Sequence, residues 1–120
     1  MPLLNFQSRF IDHIRSGQKA HTIRAERKIP VKVGDKLYLY CGLRHKGAYR
    51  ILPEPVTCTR VDRISIYYAH GPCVFIDAVE LDKAECERLA VADGFDNFTE
   101  MMAFWDGRLP FTGQIIHWKP

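Results

Sequence analysis

No stretch of this 120-residue chain approaches the ~20 consecutive apolar residues that a membrane-spanning helix needs, so that class is excluded. The amino-terminal run from Met1 to Arg9 lacks a basic patch followed by an apolar segment, and the expected location is therefore the cytoplasm. No repeat, low-complexity tract or linker divides the chain, and its length suits a single domain over residues 1–120. Cysteine is sparse: Cys41, Cys58, Cys73 and Cys86 form no CxxC pair, and His70 with Cys73 is the nearest approach to a pair of zinc ligands. An even count would permit two disulfides, but nothing else points to secretion, so buried free thiols are expected. Walker, GxGxxG, HExxH and GxSxG patterns are all missing, which excludes P-loop nucleotide hydrolysis and zincin-type proteolysis. No metal and no cofactor are expected, and the monomer is the expected form.

What the chain does have is an uneven distribution of charge. The formal net charge of +3 combines a basic half with an acidic one. Residues 15–50 carry ten Lys or Arg against Glu26 and Asp35, whereas residues 51–120 carry six basic against eleven acidic side chains. A basic half on a small domain suggests a polyanionic partner, nucleic acid first, and the plain alternative is a solvated loop that keeps the protein soluble.

Periodicity predicts a helix over 8–16, with Phe6, Phe10 and Ile14 four residues apart, Ser8 as cap and Gly17 just past the end. Residues 19–33 read as a short extended piece and an exposed basic loop. After the Gly34-Asp35 turn, Leu37, Leu39 and Cys41 alternate with Tyr38 and Tyr40, as in a strand with two differently used faces. Gly42 to Gly47 is a second basic loop, and Pro53 with Pro55 interrupts any strand there. The β-branched run 56–66 predicts one long or two short strands, and 73–81 another. Two capped helices follow, Asp82 with Glu85 opening one that ends at Gly94, and Asn97 with Glu100 opening the next. Phe98, Met101, Met102 and Trp105 make one apolar stripe on the second, better suited to core than to a ligand platform. A last strand over 114–119 closes the chain. Strands in the middle with helices toward the ends point to an α+β fold, and a small, partly closed barrel with flanking helices fits the order best.

Chemistry is concentrated in Gly17-Gln18-Lys19-Ala20-His21-Thr22-Ile23-Arg24, which places an ammonium, a hydroxyl and a guanidinium within eight residues. In an extended chain Thr22 and Arg24 share a face, and Lys19 joins them only if the chain bends after Gly17. A lysine desolvated among other cations can act as base for a threonine hydroxyl, while a forked guanidinium can take a phosphate or a carbonyl. The plain alternative is a surface strand with solvated Lys19 and Arg24 and an exposed His21.

The ordered set Gly17-x-Lys19-x-x-Thr22-Ile23-Arg24, then Gly34-Asp35-x-Leu37-x-Leu39-Tyr40, then Ala92-Asp93-Gly94-Phe95 before Glu100-Met101, resembles the ASCH domain family, and the small stand-alone bacterial and phage-type members most. The likeness runs from Phe10 to Trp118. It implies a PUA-like β-barrel with a cleft beside it, and RNA or a modified nucleoside as partner. Some small members are described as N(4)-acetylcytidine amidohydrolases, and ribonuclease activity is ascribed to others. The amidohydrolase pattern uses a Lys, a Thr and a downstream Glu, which carry over to Lys19, Thr22 and Asp93. Here Asp93 is one methylene shorter than that Glu, and a ~1 Å shortfall in reach can cost ~100-fold in rate. Asp93 has an equally plain reading as a polar residue at a helix end before Gly94.

If the site is hydrolytic, as the resemblance implies, the expected roles are as follows. Lys19 takes the proton of Thr22, whose oxygen attacks the acyl carbon, Asp93 handles the proton of the leaving amine, and Arg24 or backbone N–H groups steady the oxyanion. For RNA cleavage the same cations would stabilise the phosphate, with the 2′-hydroxyl as internal nucleophile. Tyr40 is the candidate stacking surface for a base, and Arg27, Arg44 and Lys46 are the candidate contacts to backbone phosphate or substrate. The leading reading is an RNA-binding domain whose basic cleft, formed by residues 19–24, 38–46 and Asp93, acts on RNA or a modified nucleoside as a ribonuclease-like hydrolase; the alternatives are an amidohydrolase of acylated cytidines and an RNA-binding regulator without catalysis.

Overall fold

A computed structural model describes residues 2–43 and 45–118. Its eight strands and three short helices form an α+β domain built on one mixed sheet. Strand β1 (Leu3–Phe6) precedes a 3₁₀ turn at Ser8–Phe10 that runs into helix α1 (Ile11–Arg15). Phe10 and Ile14 are buried as their spacing predicts, whereas Phe6, also buried, belongs to strand β1, and Ser8 makes no side-chain cap because the turn starts on Gln7. Strand β2 (His21–Ala25) follows, then β3 (Lys36–Cys41), the two-residue β4 (Tyr49–Arg50) and the long β5 (Val56–Tyr68).

The 73–81 segment is a hairpin rather than one strand: β6 (Pro72–Ile76) turns at Asp77 and Ala78, both at positive φ, into β7 (Val79–Glu80). Two consecutive left-handed residues are what a tight two-residue hairpin requires, and an Asp-Ala pair signals that turn far less clearly than Asn-Gly would. Helices α2 (Lys83–Ala92) and α3 (Phe98–Trp105) start as expected, with a reciprocal capping box between Asp82 and Glu85 and an Asn97 cap on Glu100 N–H. Strand β8 (Phe111–Trp118) ends the described chain.

β5 serves three neighbours because it is long and irregular. Val56 and Thr57 pair with β3, Cys58 through Ile66 pair with β8, and Ile64 through Tyr68 pair with β6, with a register shift between Cys58 and Arg60. β8 passes on to β2 in antiparallel register, His21 opposite His117 and Thr22 opposite Ile116. On the other side β1 lies parallel to β3. Among the described residues no ladder joins β1 to β2, so the sheet stays open between them. The gap is spanned instead by a side chain, the Arg24 guanidinium donating to the Asn5 carbonyl at 2.5 Å.

The core lies between the sheet and the helices. Phe10, Phe95 and Phe104 meet edge-on or tilted, and Phe6 packs edge-on against Trp118. All four cysteines are free thiols, and burial pushes those of Cys58 and Cys86 up. Among the described residues no helix is long and apolar enough to cross a membrane.

Candidate functional site

The site forms where the open edge of the sheet meets the end of α2. α1 stops at Ser16, Gly17 takes a left-handed φ of 86°, and the Lys19 N–H returns to the His13 carbonyl at 2.9 Å. That reversal supplies the bend after Gly17 and leaves Lys19 just ahead of β2, outside its alternation. Lys19 and Asp93, 74 positions apart in the chain, meet at 2.5 Å from Nζ to Oδ1. The same ammonium donates to the Asp93 backbone carbonyl at 2.8 Å, so it also closes the carboxyl end of α2. Both side chains are almost wholly buried, 3% and 7% exposed.

Gly94 makes the approach possible. It holds a left-handed φ of 101°, and a Cβ there would stand 2.9 Å from the Phe10 ring and 3.6 Å from Lys19 Cδ. The short Asp93 carboxylate reaches Lys19 directly from the helix end.

Thr22 Oγ1 accepts a hydrogen bond from Arg24 Nε at 3.0 Å, as two residues on one strand face should. Arg24 is therefore engaged with the hydroxyl and with Asn5, and its guanidinium lies 4.7 Å from the centre of the Phe6 ring. His21, expected as an exposed strand residue, is buried: His21, Thr22 and Ile23 are all covered because both faces of β2 are packed. Its Nε2 lies 3.2 Å from Asp93 Oδ1, close enough for ionic attraction, although the ring does not set a hydrogen bond on that oxygen.

The electrostatics follow from burial and proximity. Desolvation pushes the Lys19 ammonium below its ordinary value against the pull of Asp93, and Arg24 pushes it the same way. Desolvation would raise the Asp93 carboxyl, but Lys19 and His21 outweigh it and hold the group below the usual carboxylate range. Burial takes Arg24 down to about 10, with Asp93 opposing and Arg27 adding to the fall.

Lys19, Thr22, Arg24 and Asp93 line one hollow of about 440 Å³. Its walls are aromatic and come from elsewhere: Phe6, Phe10, Phe104, Trp105 and Phe111, with Arg108 stacked on Phe104 and Trp105 at 4.5 and 4.6 Å. Trp105 is thus core and wall at once. The aromatic content of α3 was visible in the sequence, but no local pattern distinguishes a ring that faces a hollow from one that faces the core.

The other sequence candidates lie apart. Arg27 lines a second hollow of about 590 Å³ together with Lys32, Lys36 and Tyr38. The Tyr40 hydroxyl accepts from Arg50 Nε at 3.3 Å on the outer side of β3, away from the first hollow. Leu37, Leu39 and Tyr40 behave as alternation predicts, but the Tyr40 face looks outward rather than toward Lys19. Lys46 is exposed in the 42–47 loop, which is tied to β1 by the Leu43 N–H donating to Asn5 Oδ1 at 3.0 Å. Arg44 lies outside the described residues. Among the described residues, no three His, Cys, Asp or Glu side chains gather as metal ligands. No protein-family model, no curated protein and no solved structure matches this chain.

Proposed function

We propose that this chain is an ASCH-type domain with the PUA-like design its motifs suggest, and that it hydrolyses the N-acyl group of an acylated cytidine or a closely similar modified nucleoside. The observation that carries this reading is the convergence of Lys19, Thr22 and Asp93 on one aromatic-walled hollow of about 440 Å³. That volume lies in the usual range for small-molecule sites, which are mostly apolar with a few convergent polar groups. Flat rings suit a nucleobase, whose stacking on an aromatic side chain is worth ~1–3 kcal/mol.

Within this reading each residue has a task. Lys19, once deprotonated, takes the Thr22 proton, and the threonine oxygen bonds to the acyl carbon. The Arg24 Nε–H already held on Thr22 Oγ1 favours the developing alkoxide, so this guanidinium serves the nucleophile rather than the oxyanion. Asp93 conducts the proton to the departing exocyclic amine as the C–N bond breaks, and water then hydrolyses the threonine ester. The test is release of acetate from N(4)-acetylcytidine by the wild-type chain, with Lys19→Met and Thr22→Val each lowering kcat by ~10³-fold or more. Wild-type protein without turnover, or turnover that survives both substitutions, overturns the reading.

RNA binding is a second reading, favoured by the second hollow. Arg27, Lys32 and Lys36 line it with Asp35 and Tyr38, three cations against one carboxylate beside one aromatic ring. β1 connects the two hollows, Pro2 bordering the second and Asn5 to Gln7 the first.

A further inference from the structure

The cations that line the aromatic hollow differ in what already occupies them. Lys19 is held by Asp93, the one carboxylate in the lining, and Arg24 donates to Thr22 Oγ1 and to the Asn5 carbonyl. Arg108 stands in the turn after α3, where Gly107 takes a left-handed φ of 82° and the Arg108 N–H returns to the Trp105 carbonyl at 3.0 Å. Its guanidinium lies 4.5 Å from the centre of the Phe104 ring and 4.6 Å from that of Trp105, and Nη2 donates to the Phe104 carbonyl. Among the described residues its other N–H groups have no acceptor and no carboxylate pairs with it.

Arg9 shows the contrast on the same ring. It lies 6.0 Å from the centre of Phe104 and 4.9 Å from that of Phe95, but Glu100 neutralises it at 2.7 Å and it does not line the hollow. Of the two arginines on Phe104, only the one at the hollow keeps an uncompensated charge. Burial also gives the hollow a direction. Lys19, Thr22 and Asp93 are at most 5% exposed, whereas Arg108 is exposed. A group reacting at Thr22 therefore lies deep, and the part of a ligand that reaches Arg108 lies near solvent. An anion at that end keeps part of its hydration, while one placed beside the buried pair would lose it outright.

We infer that this site takes its modified nucleoside as a phosphate ester, with Arg108 as the specificity-determining residue that binds the phosphate at the mouth while the base lies inward. The inference rests on the proposed reading of the hollow as a nucleoside site and adds the class of substrate. An uncharged nucleoside leaves the surplus positive charge of the lining unmatched, and a phosphate on its sugar matches it. Stacking on two rings holds the planar fork in one orientation, so its remaining N–H groups are aimed before the ligand arrives, and such a fork fits the paired oxygens of a phosphate. That phosphate belongs either to a free mononucleotide or to the backbone of an RNA strand whose base enters the hollow, and both present the same group to Arg108.

The test reads binding without turnover, from the fluorescence of the two tryptophans, of which Trp105 lines the hollow. The ligands are cytidine, its 5′- and 3′-monophosphates and a short cytidine-containing RNA. In the wild type one of the monophosphates binds ~10- to ~100-fold more tightly than cytidine, the gain expected of hydrogen bonds to a charged group. That ratio falls toward one in Arg108→Gln, falls in part in Arg108→Lys, and is kept in Arg9→Gln. An arginine that only braces the end of α3 would lower both affinities together and leave the ratio alone, which overturns the inference. Equal wild-type affinities, or no binding of any ligand, also overturn it, and this comparison stands if a variant does not fold. RNA bound more tightly than either monophosphate, and weakened in Arg108→Gln, assigns the phosphate to a strand; RNA bound no more tightly assigns it to a free nucleotide. Acetylcytidine turnover is measured in parallel: phosphate preference without turnover removes the hydrolase reading alone, and turnover without phosphate preference removes only the role of Arg108.

Discussion

The Lys19–Asp93 contact concentrates the electrostatics of this molecule in one buried pair. The value of such a pair lies in what is left when one member is missing, since an unpaired buried charge costs far more than the pair gains over apolar residues. Asp93 is held below its ordinary value of 3.8, so the folded chain binds that proton more weakly than the unfolded chain. Its stabilising contribution is therefore fully present above the unfolded value and is lost as pH falls through the folded one. Urea-unfolding midpoints across the acid range should fall more steeply for the wild type than for Asp93→Asn, in which this titration is missing. Parallel curves would show that Asp93 carries no such linkage.

Gly94 is the residue on which the pair's approach depends. Gly94→Ala would force a side chain into a left-handed conformation costing ~1–2 kcal/mol and push against Phe10, so a loss of at least that size is expected. Urea denaturation measures it. The displaced Phe10 ring is a wall of the hollow, so ligand affinity should fall together with stability.

At the scale of elements, the helices are set by short-range devices and the strands by longer ones. The Asp82 capping box satisfies backbone groups at the start of α2, and Asp82→Ala should cost ~1 kcal/mol by the same assay. Because α2 carries Asp93 at its far end, fraying at the cap is separated from the site by the length of the helix, and Lys19 pKa should stay unmoved. β2 and β8 meet differently. Gly113 sits where a Cβ would collide with the Arg24 carbonyl and stand 2.7 Å from the Phe111 ring. Gly113→Ala should therefore part the ladder that holds Thr22 and Arg24, costing ~1–3 kcal/mol by overpacking and lowering turnover more than Asp82→Ala does.

At the scale of the whole molecule, the basic half of the sequence does not become one basic surface. Lys19 is buried and Arg24 half-buried against aromatic rings, whereas Arg27, Lys32 and Lys36 border the second hollow. If that groove carries RNA, affinity should fall linearly on a log–log plot against salt, with a slope near −0.7 for each neutralised phosphate of a single strand. Arg27→Ala should lower the slope by about one contact and leave free-nucleoside turnover unchanged, as fluorescence anisotropy with a short labelled RNA would measure. A slope unaffected by that change would remove Arg27 from the interface.

The local features were legible in the sequence itself. Four-residue spacing marked Phe10 and Ile14 as buried, Asp82 with Glu85 and Asn97 with Glu100 marked the starts of α2 and α3, and alternation marked β3. Each depends on hydrogen bonds or periodicity within a few residues, so neighbours suffice to determine it. The motif also held Lys19, Thr22 and Arg24 together before any fold was considered. Only the tertiary structure decided that Asp93 closes on Lys19 across 74 positions, that His21 is buried between a carboxylate and a second histidine, and that Tyr40 faces outward while Phe104, Trp105 and Phe111 make the walls. These outcomes depend on which faces of distant elements pack against one another, and the energy of that packing is shared by residues that no local pattern connects.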